Sequence, residues 1–282
     1  MINALVAFYA FFLNLLAVSI GMAFIYGVAR VLNLAHGAFF VLGGYLATAL
    51  ITRLGPVPGA LATAAVLAAL PPLFYLYVRL TRNELEQLFA TYALLLLMEG
   101  LFKLVFGYGN YTLADLAAGL GAASVGGQRV PYAYFLAGVA VAGLMATFYL
   151  LLYKTRLGLY MRAVSDDREM AAALGVRSPL VQHLSIFLGI FATALLGAVA
   201  ATWQAYTLGL SAEVLIYAFA ALVIGGLGNI WGTAAASALV AVARTAVVMF
   251  YPELELLVIY IAVIAVLLIR PGGIFTRYAR VA

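Results

Sequence analysis

Cysteine is absent from this chain of 282 residues, which excludes a disulfide framework, a thiolate metal site and a cysteine nucleophile. Charge is scarce as well, at 9% Asp, Glu, Lys and Arg, where an ordinary globular domain carries about 25%. The two histidines, His36 and His183, lie far apart and no H-E-x-x-H occurs, so a zinc-hydrolase arrangement on a helix has no support. The chain also lacks G-x-x-x-x-G-K-[ST], the phosphate-cradling loop, and is not expected to hydrolyse ATP by itself. No catalytic residue and no metal site is expected.

What is present is apolar sequence: 67% hydrophobic residues and a mean hydropathy of +1.13. At ~20 residues per span, this length accommodates roughly nine or ten membrane helices with little left for a soluble domain. The expected architecture is all-α: one polytopic transmembrane helical bundle over residues 1–282, of about 8–10 segments, some broken or re-entrant. The formal charge of +5 does not point to nucleic acid, because the basic residues flank apolar segments, where topology requires them. Ala4 to Val28 has neither a basic flank before it nor a cleavage site followed by polar sequence, and reads as a first span rather than a removed signal peptide.

Apolar segments fall near residues 3–29, 37–52, 57–78, 89–107, 131–152, 182–207, 214–227, 231–250 and 254–269. Basic residues concentrate in alternate connections: Arg79 and Arg82, then Lys154, Arg156, Arg162, Arg168 and Arg177, then Arg270, Arg277 and Arg280. The intervening connections hold Arg129 as their only basic residue, beside Asp115, Glu213, Glu253 and Glu255. The positive-inside rule places the first set and the C terminus in the cytoplasm. The N terminus lies outside if Ala4 to Val28 is a single span, and an early break there would change the count.

Two segments interrupt the hydrocarbon pattern. In RVLNLAHGAFFVLGGYLA, Arg30 to Ala47, the side chains of Asn33 and His36 share a face if helical, while Gly37 makes a local break equally compatible. In IGGLGNIWGTAAASALVAVA, Ile224 to Ala243, a break at Gly225, Gly226 and Gly228 precedes Asn229 and Gly232, a weak repeat of the first pattern. Corresponding breaks in two halves point to a transport pathway, although small residues also serve plain helix packing. Asn33, His36, Gly37, Gly225, Gly226, Gly228, Asn229 and Gly232 are therefore the candidate pathway residues. Glu99 and Lys103, spaced i to i+4 with the acid first, are expected to pair within one helix as a structural device. Arg244 stands alone in its segment.

The charged segment 154–178 holds five of the fifteen Lys and Arg residues. Asp166 followed by Glu169 predicts a capping box, Met170 to Leu174 a short helix, and Gly175 its left-handed stop. Ser178 is predicted to cap the next helix, with Pro179 in its first turn. A helix of two turns that shows Met170, Ala171, Ala172 and Leu174 has no core of its own and calls for a docking surface; a basic loop lying on anionic headgroups is the plainer alternative.

These motifs, in this order, resemble those of branched-chain amino acid ABC transporter permeases of the LivH type. NLAHG is similar to the family's NFAHG; Arg156 to Val176 is similar to its EAA-type coupling segment, with Glu169, Ala171, Ala172 and Gly175 in place; VIGGLGNIWGTAAAS resembles GGxGSIxGAxxGG; and LLIRPGGIF resembles its PxGI(L/F)G ending. Asn229 stands where the family often has Ser, and Arg244 near where an acid is common. The resemblance implies one permease of an importer in a prokaryotic cell membrane. Its partners would be a second permease, identical or homologous, two cytoplasmic ATPase subunits that hold ATP and Mg, and an external substrate-binding protein. Asp166, Glu169, Ala171, Ala172 and Gly175 would form the ATPase-coupling element. Branched-chain or other hydrophobic amino acids are the implied cargo. Urea, amides or sugars within the same transporter class, or a secondary transporter driven by an ion gradient, remain open.

Overall fold

The computed structural model describes residues 2–125 and 128–275; Arg277 and Arg280, part of the basic C-terminal tail, lie outside the described residues. The elements follow in order: α1 Ile2–Ala29, α2 His36–Leu54, α3 Pro56–Val78, α4 Glu84–Phe106, α5 Ala114–Ala118, β1 Ala122–Val125, β2 Gln128–Pro131, α6 Tyr132–Lys154, α7 Arg156–Asp166, α8 Arg168–Ala173, α9 Ser178–Ala200, α10 Leu210–Gly225, α11 Ile230–Phe250, a 3-10 turn Pro252–Leu254 and α12 Glu255–Ile269. Each apolar segment expected from the sequence is a helix, because a backbone in hydrocarbon must pair its own N–H and C=O groups. Among the described residues, eight helices are long and apolar enough to cross a membrane, and α10, at 16 residues, is shorter. The chain is a multi-pass membrane protein. The first helix runs unbroken for 28 residues, about 40 Å at ~1.5 Å per residue, so it exceeds a ~30 Å hydrocarbon core and must tilt or protrude.

Helix ends carry their sequence signals. Asn83 caps α4 by accepting from the Glu86 N–H at 2.8 Å, while the Glu86 carboxylate accepts from the Arg82 N–H at 2.8 Å. Pro56 and Pro179 occupy first turns, where a missing N–H costs nothing. The connection between α4 and α6 holds more structure than expected: α5 and an antiparallel pair, β1 against β2, in register Ala123 to Val130.

The core gathers α1, α2, α9, α10 and α11; α3, α4, α6 and α12 form the periphery. On α12 only Ile259 is buried, and Leu61, Leu73, Leu96, Val139 and Leu268 expose apolar faces suited to lipid. Helices α2 and α9 cross closely enough that a Cβ on Gly43 would strike the Ala194 carbonyl and lie 3.1 Å from the Ala198 nitrogen. Small residues permit such approach, and dispersion between backbones then holds the helices together.

Three expectations are corrected here. Glu99 and Lys103 do not pair: the Glu99 carboxylate accepts from the Gly209 N–H at 3.1 Å, and the Lys103 ammonium lies 5.2 Å from the Tyr108 ring centroid. A tertiary backbone donor and a nearby aromatic face outcompete a helix-surface pair worth only ~0.3–0.5 kcal/mol. The cap of the short helix is Asp167, not Asp166; its carboxylate accepts from the N–H groups of Glu169 and Met170, each at 2.9 Å. Asp166 instead ends α7, a helix missed because its apolar face is only Gly158, Met161 and Val164; the Thr155 hydroxyl, accepting from the Gly158 N–H at 3.0 Å, marks its start. Likewise Ser178 is the first residue of α9 rather than its cap.

Because the atoms facing Gly43 are backbone and cannot swing away, Gly43→Leu is expected to destabilise the detergent-solubilised protein by about 1–3 kcal/mol in thermal unfolding. Gly100→Leu, where a Cβ meets nothing within 4 Å, is the control and should leave unfolding within about 0.5 kcal/mol of the parent.

Candidate functional site

Between α1 and α2 the chain leaves helical geometry at residues 30–35, beginning with Arg30 in the left-handed region at φ 58°. Arg30 is exposed, but Val31, Asn33 and Ala35 are buried, so the polar groups there need protein partners. The Asn33 carbonyl oxygen accepts from the Ala35 N–H at 2.9 Å, and the Leu34 N–H donates to the Thr91 hydroxyl of α4 at 3.2 Å. His36 opens α2 fully buried, its Nε2 3.0 Å from the Thr193 hydroxyl, which in turn donates to the Ala17 carbonyl at 3.4 Å. Three core helices are thus tied at one point. Gly37 then presses on the first turn of α10, 3.1 Å from the Leu215 nitrogen for a Cβ placed there, so the N-termini of α2 and α10 meet inside the protein.

A second unwound stretch, residues 201–209, precedes α10. Tyr206 is buried; its hydroxyl donates to the Gly197 carbonyl at 2.6 Å, and its backbone exchanges hydrogen bonds with Tyr111 at 2.8 and 3.0 Å. The sequence places a connection only between the segments ending at 207 and starting at 214, and the earlier part of this break, 201–207, is hidden inside an apolar run; Gly209, at φ 87° before α10, lies within the expected connection.

The glycine-rich group lies at the other end of α10. Gly226 ends that helix, Gly228 abuts Gly27 of α1, and a Cβ on Gly225 would lie 2.5 Å from the Thr233 Cα. The Asn229 side chain accepts from the Gly232 N–H at 3.0 Å and donates to the Phe275 carbonyl at 3.0 Å. Asn33 and Asn229 therefore both close turns that start helices. Gly37 meets α10 at Leu215, ten residues or about 15 Å at ~1.5 Å per residue before Gly225, so the two groups do not converge on one site.

The cavity that does combine charge with apolar walls, about 370 Å³, lies between α1, α6, α10, α11 and the 203–205 stretch. Arg244 lines it, and its Nε donates to Glu255 at 2.7 Å, which is the one salt bridge among the described residues. The Tyr217 hydroxyl donates to the same carboxylate oxygen, and the guanidinium carbon lies 4.1 Å from the Phe11 ring centroid. Asn14 is hydrogen-bonded to Gln204 at the same wall, and Glu213 completes the polar lining. The lining residues Glu213 and Gln204 border connections without basic excess, at the end of the bundle away from the basic segment 154–178.

At the opposite end α8, the turn that follows it and the start of α9 border an open groove of about 680 Å³, lined by Arg168, Glu169, Ala172, Arg177 and Leu180 among others. Ala171 is buried under α8, Met170 and Leu174 are exposed, and Gly175 takes φ 87° after the helix, where a side chain would be strained. One Arg30 nitrogen donates to the Ser165 carbonyl at 3.1 Å, and the Ser165 hydroxyl donates to the Gly27 carbonyl. The charged segment is thereby fastened to the junction of α1 and the first unwound stretch.

A polytopic helical bundle with interior breaks, a cavity at one end and a capped amphipathic element on the basic side at the other defines a membrane permease. The fold is similar to a solved structure described as PsaBC from Streptococcus pneumoniae in complex with Fab, with a TM-score of 0.53 and 15% identity over 94% of this chain and 88% of that one. Residues 4–267 match the family described as branched-chain amino acid transport system / permease component, and the chain belongs to that family. It is similar to the high-affinity branched-chain amino acid transport system permease protein BraD of Pseudomonas aeruginosa, 27% identical over 92% of this chain and 91% of that protein. It is also similar to the LivH permease proteins of Escherichia coli K12, 25% identical over 92% and 90%, and of Methanocaldococcus jannaschii, 25% identical over 92% and 88%. These relatives are named as transport permeases, not enzymes.

The buried His36 to Thr193 bond sets an expectation for stability. Thr193→Val should cost about 1–3 kcal/mol by leaving the imidazole unpaired, whereas His36→Leu with Thr193→Val should cost measurably less than the two single changes summed. Additivity in a double-mutant cycle of unfolding would show that the bond contributes nothing.

Proposed function

We propose that the chain is a membrane-spanning subunit of an importer for branched-chain or other hydrophobic amino acids, driven by ATP hydrolysis on partner subunits. The family match over residues 4–267 carries this reading, and the names of the relatives supply the cargo class. The capped element at 156–175 supports the ATP-driven form: it is short, it exposes Met170 and Leu174, and it cannot bury them unaided.

In this mechanism two cytoplasmic ATPases hold ATP and Mg, and the groove over Glu169, Ala172 and Gly175 receives them, with Ala171 anchoring α8 from beneath and Asp166 ending α7. Closure of the ATPase pair displaces α8 and α7. Ser165 and Arg30 carry that motion to Gly27 and to the unwound 30–35 stretch, whose φ and ψ angles can change without breaking helix hydrogen bonds. The joint at Asn33, His36 and Gly37 then tilts α2 against α10, while Gly225, Gly226, Gly228, Asn229 and Gly232 form the turn about which α10 and α11 move together. A second permease completes the pathway, an external binding protein supplies cargo, and the C terminus faces the ATPases.

Ala172 is exposed and lines the groove, so Ala172→Glu should leave insertion and unfolding unchanged. ATP-driven leucine uptake by the assembled transporter should fall at least about tenfold. Leucine uptake by the purified chain on a Na⁺ or H⁺ gradient, with no ATPase present, would replace this reading with a secondary transporter.

A further inference from the structure

We propose that Arg244 binds the carboxylate of the cargo in a transient zwitterion site in the cavity it lines, with Glu213 receiving the ammonium group. This rests on the reading of the chain as an amino-acid permease. Arg244 engages Glu255 through Nε, and the Tyr217 hydroxyl also interacts with the guanidinium. Guanidinium–carboxylate pairs are frequently bidentate, and this one is not. Only Nε is committed to the carboxylate, beside a cavity that Arg244 itself lines.

The surroundings hold the guanidinium in place. The Phe11 ring, 4.1 Å from the guanidinium carbon, covers one face, and the Tyr217 ring lies 5.7 Å away. The Tyr217 hydroxyl fixes the Glu255 carboxylate that faces Nε. Glu255 offsets the cost of a cation within an apolar bundle, and rigid placement spares a ligand the entropy of ordering the side chain. Arg244 and Glu255 are each about a fifth to a quarter exposed, at 24% and 20%, so the pair remains open to the cavity.

The other walls suit the rest of such a ligand. Glu213, in the first turn of α10, is exposed and has no hydrogen-bond partner among the described residues, and the Arg244 guanidinium and this carboxylate give the cavity one group of each sign. Ala7, Ala10, Leu15 and Val214 supply apolar surface for an aliphatic side chain. A volume of about 370 Å³ is at the small end of ligand cavities, which run from about 300 to 1,000 Å³. A compound with an aliphatic chain but lacking either charge would forgo the contact with Arg244 or with Glu213.

Trp203 lines the same cavity and reports on it. In the full chain carrying Trp231→Phe, Trp203 is the sole tryptophan, and its emission can be followed in nanodiscs while leucine, 3-methylbutylamine or 4-methylpentanoate is added. Leucine should give a saturable change, and each singly charged compound should bind at least about tenfold more weakly. Arg244→Gln combined with Glu255→Gln, which leaves no lone charge, and separately the surface change Glu213→Gln should each weaken leucine by a similar factor. Equal binding of leucine and 3-methylbutylamine, unchanged leucine binding in the double variant, or no saturable response would each overturn the site. In the assembled transporter, the double variant should keep ATPase stimulation by the loaded binding protein while leucine carried per ATP falls. Absence of ATP-coupled uptake in the parent transporter would instead reject the importer reading, and the Trp203 titration would still decide the site.

Discussion

No backbone amide inside a bilayer can turn to water for a partner, and that constraint governs where this chain may leave a helix. It does so at 30–35 and at 201–209, and in both places neighbouring helices supply what the helix ladder no longer does. Thr91 serves the first stretch, while Glu99, Tyr111 and the Gly197 carbonyl serve the second. Because those partners sit on α4, α9 and the 107–113 connection, the peripheral elements are held to the core by the needs of the breaks. The meeting of the α2 and α10 N-termini at Gly37, and the cavity beside α10, follow from this arrangement.

Charge is distributed by the same economy. Arg244, within the apolar bundle, is matched by Glu255 at the start of α12, which avoids a bare charge in hydrocarbon, a cost of at least ~2.5 kcal/mol on insertion scales. One Glu99 oxygen accepts from a backbone N–H, while the other is buried without a partner among the described residues. Lys103, nearer the end of its helix, rests by the Tyr108 ring. The two ends of the molecule differ: the cavity at one holds both signs of charge, and the other is a basic face with an amphipathic element. Arg30 and Ser165 connect that element to the first break, so a push at one end reaches the interior through few, short, directional bonds.

The sequence by itself determined the number and order of the apolar helices, the short capped helix with its left-handed Gly175, and the proline-marked start of α9. These depend on local quantities: hydropathy over one span, and the pairing of a cap with backbone two or three residues away. Even there, the neighbouring carboxylates Asp166 and Asp167 were not separable by pattern, since either side chain can cap. Only the tertiary structure decided which partner each interior polar group takes. His36 meets Thr193, 157 residues away, and Glu99 meets Gly209, 110 residues away, so the nearer Lys103 loses. The 201–207 part of the break before α10 was hidden for the same reason: its hydrogen bonds are made to residues remote in sequence, and the residues themselves look like the end of an apolar helix. Arg244 looked solitary in its own segment and became part of a cluster when α1, α10 and α12 packed around α11, because distance in the folded chain, not spacing along it, sets the strength of a charge pair.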